Sequence, residues 1–348
     1  MVPTLTTPKS AWTGLVLAVL SAASFGTSGT FGSSLIAAGW TPTLVILIRI
    51  SLGAMILAVP TVLSLRGRWP LVWSSRKPVV LYSVLAVASA QVFYFYAVQR
   101  LSVGVALMLE YLGVILVVLW MWVRHGRRPQ RLTVAGSVVA LLGLALVLNL
   151  LGGTRIDPIG VLWGLGAAFG LAAFFLISAR SEDALPPVAM AGLGMGIGAV
   201  LLAALGLVGV VPLVAGAGTV QLAGGTVPFW VPFVGLSVVA AAFAYAIGVI
   251  AARMLGATLA SFIGLTEVLF AVIFAWLLLA QLPTGVQLIG GVLIVGGVAL
   301  VRTDELRRDR RATVWSRRGG APADGESLPP LMHGEVGQSG RIGREGPQ

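Results

Sequence analysis

Long apolar runs separated by short polar joints recur along most of the chain. A helix needs about 20 mostly apolar residues to cross a bilayer, and ten segments fit that pattern: 12–36, 43–65, 78–99, 101–123, 132–151, 159–180, 187–211, 230–252, 256–280 and 285–301. The pair 78–99 and 101–123 is parted only around Arg100. Segment 12–36 is rich in Ser, Thr and Gly, but it is too long for a signal peptide. It also lacks a small-residue cleavage site ahead of a soluble domain, so it is read as the first span.

Composition agrees with this pattern. Hydrophobic residues make up 57% of the chain and charged residues only 10%, against about 25% charged in a soluble domain. Mean hydropathy is +0.97. The absence of cysteine excludes disulfides, thiolate metal sites and cysteine nucleophiles. Neither His125 nor His333 has a neighbour at metal-ligand spacing. The formal charge of +11 is distributed between the spans, which makes it a topology signal rather than a nucleic-acid footprint. With the N-terminus inside, Lys9, Arg66, Arg68, Arg76, Lys77, Arg124, Arg127, Arg128, Arg131, Arg180, Arg253 and the C-terminal arginines are all cytoplasmic. Only Arg100 and Arg155 are then outside. From Arg302 onward Arg, Gly and Pro dominate and apolar residues are scarce, the composition of a disordered tail.

The two halves echo each other. At a shift of 154 residues Leu101 lies over Leu255, Ala106 over Ala260, Val114 over Val268 and Trp122 over Trp276. Gly136 likewise meets Gly290, and Gly143 meets Gly297. A glutamate falls within three residues of the same place in both copies. Five spans per copy is an odd number, so the second copy enters the membrane inverted. The expected fold is an all-α integral membrane protein, with ten transmembrane helices forming two inverted five-helix repeats. The expected organisation is a cytoplasmic N-terminus (1–11), a first repeat (12–151), an external linker (152–158), a second repeat (159–301) and a disordered basic cytoplasmic tail (302–348). Inverted repeats are a recurring plan of secondary transporters, which bind substrate between the repeats near the midplane.

Three charges lie well inside the spans: Arg49, Glu110 and Glu267. At a rise of about 1.5 Å per residue both glutamates fall near mid-depth of a hydrocarbon core about 30 Å thick. Arg49 is expected nearer the outer face. Charges at such depth usually face a bundle interior or a wet cavity. Two readings are open for each glutamate. It contacts substrate or exchanges protons, or it stays protonated or bonded to a neighbouring helix and holds the repeats together. Arg49 is open to pairing with Glu110. In span three Gln91 and Tyr94 share a face and Tyr96 points elsewhere. Ser24, Thr27 and Ser28 form a stripe better suited to helix packing than to binding. Tyr245 and Trp163 have no decisive context.

No phosphate-cradling Gly-rich loop with lysine, no nucleophile elbow and no zinc-hydrolase motif occurs. No cofactor or metal is expected, and no residue is assigned to catalysis. The chain resembles the EamA-type branch of the drug/metabolite transporter superfamily over residues 12–301. The resemblance is carried by "ATLASFIGLTEVLFAVIFAWLLLAQLPTGVQLIGGVLIVGGVALVR" (257–302) and by "AVQRLSVGVALMLEYLGVILVVLWMW" (97–122), which contains the pair Glu110–Tyr111. It implies ten helices in two repeats and export of small metabolites or amino acids. Gly113 and Val268 stand where the family often has proline, and Gln281 stands where it commonly has glutamate. The substrate-pathway or proton-coupling candidates are Glu110, Glu267, Gln91, Tyr94, Tyr111 and Arg49. The expected partners are a small-molecule substrate and the lipid bilayer of the plasma membrane, without nucleic acid. A homodimer is left open, and the alternative class is a membrane-embedded enzyme or lipid-handling protein.

Overall fold

A computed structural model describes residues 8–98, 100–101, 103–126, 130–147, 157–180, 185–279 and 282–317. Among these, nine helices are long and apolar enough to cross a membrane, and Arg131–Val147 adds a shorter apolar one, giving ten spans. Two compact units are distinguished, Met1–Glu305 and Leu306–Gln348. The first is the helical bundle. The tenth span is Gly285–Asp304, and in the second unit the backbone is helical as far as Arg317. The tail expected to be disordered otherwise lies outside the described residues.

Small residues line much of the interior beside buried large ones such as Leu35, Ile50, Leu144 and Leu202, while other large side chains face outward. Span six (Pro158–Ser178) buries Gly160, Gly164, Ala167, Ala168, Gly170 and Ala172 while exposing Leu162 and Phe169. Lipid tails are as apolar as leucine, so burying leucine gives no advantage, and close backbone packing through small residues holds the helices together. Proline opens spans two (Pro42–Ser64), six and seven (Pro187–Leu207), where its missing N–H costs nothing. Asp157 caps span six through the N–H groups of Ile159 and Gly160 and pairs with Arg100 at 3.3 Å. The Gly160 N–H, followed by the Ile159 N–H and Arg100, holds the Asp157 carboxyl below its ordinary range against the opposing effect of desolvation.

The repeat extends to local irregularities. Span three runs Arg76–Leu81, then π-helical Tyr82–Ser89, then Ala90–Val98. Span eight runs Trp230–Val234, π-helical Gly235–Phe243 and Ala244–Leu255. The two π segments coincide at the same shift, with Ser83 over Ser237 and Ala86 over Ala240. Spans four and nine, expected to be continuous, are each broken once: Val103–Tyr111 from Gly113–His125, and Ala257–Gly264 from Thr266–Leu279. At both breaks the backbone tightens to i→i−3 bonds, through the Leu112 and Leu265 N–H groups to Leu109 and Phe262, and through the Ile115 and Val268 N–H groups to Leu112 and Leu265. These breaks form without the proline that the resemblance led one to expect there.

Spans five (Arg131–Val147) and ten cross through glycine. A methyl group on Gly136 would lie 2.7 Å from the Gly297 carbonyl oxygen, and one on Gly143 would lie 2.6 Å from that of Gly290. The repeat aligns Gly136 with Gly290 and Gly143 with Gly297, so the two contacts are images of each other about a pseudo-two-fold axis. Near one end of this crossing the Thr133 hydroxyl donates to the Asp304 carboxylate at 2.5 Å, and both are buried.

Among the described residues one element departs from all-helical architecture. The uncharged joint between spans seven and eight holds an antiparallel hairpin, β1 (Thr219–Leu222) and β2 (Gly225–Pro228). Val220 and Val227 pack with Leu35, Trp40, Val45 and Phe233. Trp40 stacks on Phe229 and its indole N–H donates to Ala217 O. Thr41 N–H and Ala217 N–H close further backbone bonds to Val214 O and Ala38 O, and the Thr43 hydroxyl donates to Pro212 O. The joint therefore ties the turn between spans one and two to the start of span eight. At its tip Ala223 has φ 54° and Gly224 φ 76°, the left-handed pair of a two-residue hairpin turn. Alanine is disfavoured there by about 1–2 kcal/mol; its N–H is held by Leu278 O at 2.9 Å. Ala223→Gly is expected to raise stability by up to about 1 kcal/mol once glycine's extra chain entropy is offset, measured as the thermal midpoint in detergent.

Candidate functional site

Arg49, about two turns into span two, is 9% exposed and centres a polar cluster. Its Nη1 donates to Ser28 Oγ at 2.9 Å and reaches Gln91 Oε1 at 3.5 Å, and its Nη2 donates to Ala240 O at 2.6 Å. Gln91 in turn donates from Nε2 to Tyr245 Oη at 3.3 Å and to Val87 O at 3.1 Å. Ala240 lies in the second π segment, where wider backbone bonding leaves carbonyls open to side chains. Gln91 and Tyr245 occupy equivalent places in the two repeats, each just beyond its π segment. The guanidinium thus joins spans one, two, three and eight.

Both glutamates lie within electrostatic reach of Arg49 and of each other. They flank the two helix breaks, with Glu110 in the last turn before Leu112 and Glu267 in the first turn after Leu265. The Tyr111 hydroxyl faces the Glu267 carboxyl within hydrogen-bonding reach. Tyr94 lies within electrostatic reach of both carboxyls. Span one approaches closely here because of Gly26, where a methyl group would lie 3.0 Å from the Glu267 carbonyl oxygen. All six residues singled out from sequence therefore share one neighbourhood at the repeat interface.

The pairing of Arg49 with Glu110, left open above, does not form as an ion pair. Among the described residues the ion pair is Arg100–Asp157. The reason is local: Ser28, Gln91 and the Ala240 carbonyl occupy both terminal nitrogens of the guanidinium, while its buried Nε has no partner. Ser28 was read as packing and Tyr245 as uninformative, yet both belong to the cluster. The alignment of Tyr245 with Gln91 was the available signal. Phe25 closes the wall against Tyr245 at 4.9 Å, and Phe174 does so at 5.6 Å.

Arg49→Met tests the cluster. It leaves Ser28, Gln91 and Ala240 O without their donor, at roughly 1–3 kcal/mol for each acceptor stranded in a dry site. The expected result is a lower thermal midpoint. Arg49→Lys is expected to recover only part of it, because a single ammonium cannot span the three acceptors.

Among the described residues a crevice of about 330 Å³ is lined by Phe93, Ile159, Leu162, Trp163 and Gly166, and its lining carries no carboxyl. Among the described residues no group of histidine, aspartate and glutamate could hold a metal ion.

The family model described as "EamA-like transporter family" matches residues 12–149 and 158–303. A solved structure titled "Crystal structure of protein" aligns with a TM-score of 0.66 at 20% sequence identity, covering 83% of this chain and 97% of that one. This likeness concerns the fold. No curated protein matches the chain.

Proposed function

Because the chain belongs to the EamA-like transporter family and is a multi-pass membrane transporter, we propose that it exports small metabolites or amino acids across the plasma membrane by alternating access, with protons as the coupling ion. Both termini are assigned to the cytoplasm by the distribution of arginine and lysine. One observation carries the reading: a buried guanidinium and two carboxyls lie within electrostatic reach of one another at the interface of two inverted repeats. The unpartnered Nε of Arg49 offers a donor to an anionic substrate group. The carboxyls offer acceptors to a cationic one, or sites for a proton. An amphoteric solute satisfies both kinds of group, as a zwitterionic amino acid would. No bond to substrate is made or broken, so no enzymatic step is assigned.

The alternative, a lipid-handling protein or membrane enzyme, calls for carboxyls gathered at a lateral opening. The crevice at Phe93 and Trp163 has an apolar lining, and the two carboxyls belong to the Arg49 neighbourhood instead. The test is efflux and uptake of a labelled amino-acid and metabolite panel in proteoliposomes, with and without an imposed pH gradient. Movement of an amphoteric member that follows the gradient supports the proposal. A panel that never crosses, under either condition, overturns it.

A further inference from the structure

Beyond the Arg49 cluster, a second group of polar atoms is buried without partners: Tyr82 Oη, Ser178 Oγ and Arg253 Nε. They come from the start of the first π segment, the last residue of span six and the last turn of span eight. These are the basic ends of those spans, close to Arg76, Lys77 and Arg180 in the chain. Tyr82 and Ser178 are fully buried. Their hydroxyls face each other and Tyr82 lies within electrostatic reach of Arg253, yet neither hydroxyl completes a hydrogen bond. Arg253 is half-buried, so its side chain leads from the surface of the bundle to the buried pair.

Each of these three groups can donate a hydrogen bond. Two hydroxyls facing one another can use at most one of their two protons between them, and a guanidinium only donates. Donors left buried without an acceptor are costly, and such an arrangement is relieved by a ligand that only accepts. A carboxylate does so, and the free Nε–H beside a terminal N–H gives the parallel pair of donors that a carboxylate's two oxygens match. A short row of packed rings links this group to the central one. Tyr82 and Phe174 rings are 6.0 Å apart, Phe174 and Tyr245 rings 5.6 Å, and Tyr245 bonds Gln91 of the Arg49 cluster.

We propose that Tyr82, Ser178 and Arg253 form a second station on the transport path, taking the carboxylate of a solute that enters from the basic end before it reaches Arg49. This rests on the transporter reading above. The station is tested by binding alone, so its failure is distinguishable from a failure of transport. The thermal midpoint of the purified full chain is followed against sodium acetate, with sodium chloride at equal ionic strength as the control. Wild type is compared with Arg253→Gln, Arg253→Lys, Tyr82→Phe and, as a control that removes a cation from an exposed joint, Arg66→Gln. The expected result is a saturable rise in midpoint with acetate. Its apparent affinity falls about tenfold in Arg253→Gln and Tyr82→Phe, falls in Arg253→Lys as well, and is unchanged in Arg66→Gln. If Arg253→Gln yields no folded protein, Tyr82→Phe together with Ser178→Ala decides the matter. The proposal is overturned if acetate leaves the wild-type midpoint unmoved, if the Tyr82 and Arg253 variants respond like wild type, or if phosphate protects where acetate does not.

Discussion

Gradient-driven transport is expected to fall at least about tenfold in both Glu110→Gln and Glu267→Gln, the larger loss being in whichever carboxyl carries the coupled proton. The estimate comes from losing one charge-assisted interaction in a dry site, roughly 1.5–3 kcal/mol. Glutamine keeps the shape and most of the hydrogen-bonding capacity of glutamate but cannot take up a proton. Exchange of solute for solute, which needs no net proton movement, is expected to survive in a variant that has lost only coupling. Measuring gradient-driven uptake and equilibrium exchange side by side therefore separates coupling from binding. The packing-only reading makes the opposite forecast: unchanged transport in both variants, with a lower thermal midpoint. Tyr111→Phe is a useful companion, because it removes the hydroxyl that faces Glu267 while keeping a buried ring.

The second large effect is on folding. Gly143→Leu is expected to leave little or no monodisperse protein after detergent extraction, and Gly143→Ala to lower stability by about 1–3 kcal/mol, the usual cost of forcing extra carbon into a packed core. The first added carbon already lies 2.6 Å from the Gly290 carbonyl oxygen, and the rigid backbone of span ten is what it meets. Gly290→Ala should behave alike, since its methyl group would lie 2.5 Å from Gly143 O. Gly196→Ala is the control, because nothing lies within 4 Å of the position a methyl group would take. Equal midpoints for the Gly143 and Gly196 alanine variants would show that spans five and ten do not cross as described.

What could be read from the sequence followed from how local each signal was. Span number and repeat depend on runs of apolar residues and on a constant shift, both of which are properties of the chain itself. The glycine pairs were visible as aligned letters, although their meaning as reciprocal contacts required the crossing of spans five and ten. The two glutamates stood out because ionised groups are rare at that depth. The partners of Arg49 are not legible in the sequence, because its acceptors come from Ser28, Gln91 and a carbonyl, and a carbonyl leaves no mark in a sequence. Tyr245 resembled any buried aromatic until the repeat set it over Gln91. The hairpin was missed although "TVQLAGGTVP" alternates around an Ala-Gly turn. Its uncharged residues served only to indicate which side of the membrane the joint occupied.

The two π segments also bear on how far the bundle can move. A π turn closes its backbone bonds over five residues instead of four, so each segment holds a residue of slack in an otherwise taut helix. Rewinding one of them to ordinary bonding would turn everything beyond it by about 100°, the angle of one residue. In span three that rotation would swing Gln91 off Arg49; in span eight it would swing Tyr245 off Gln91. Because both repeats hold the same slack at the same place, one could take it up as the other lets it out, with no net change in the length of the bundle.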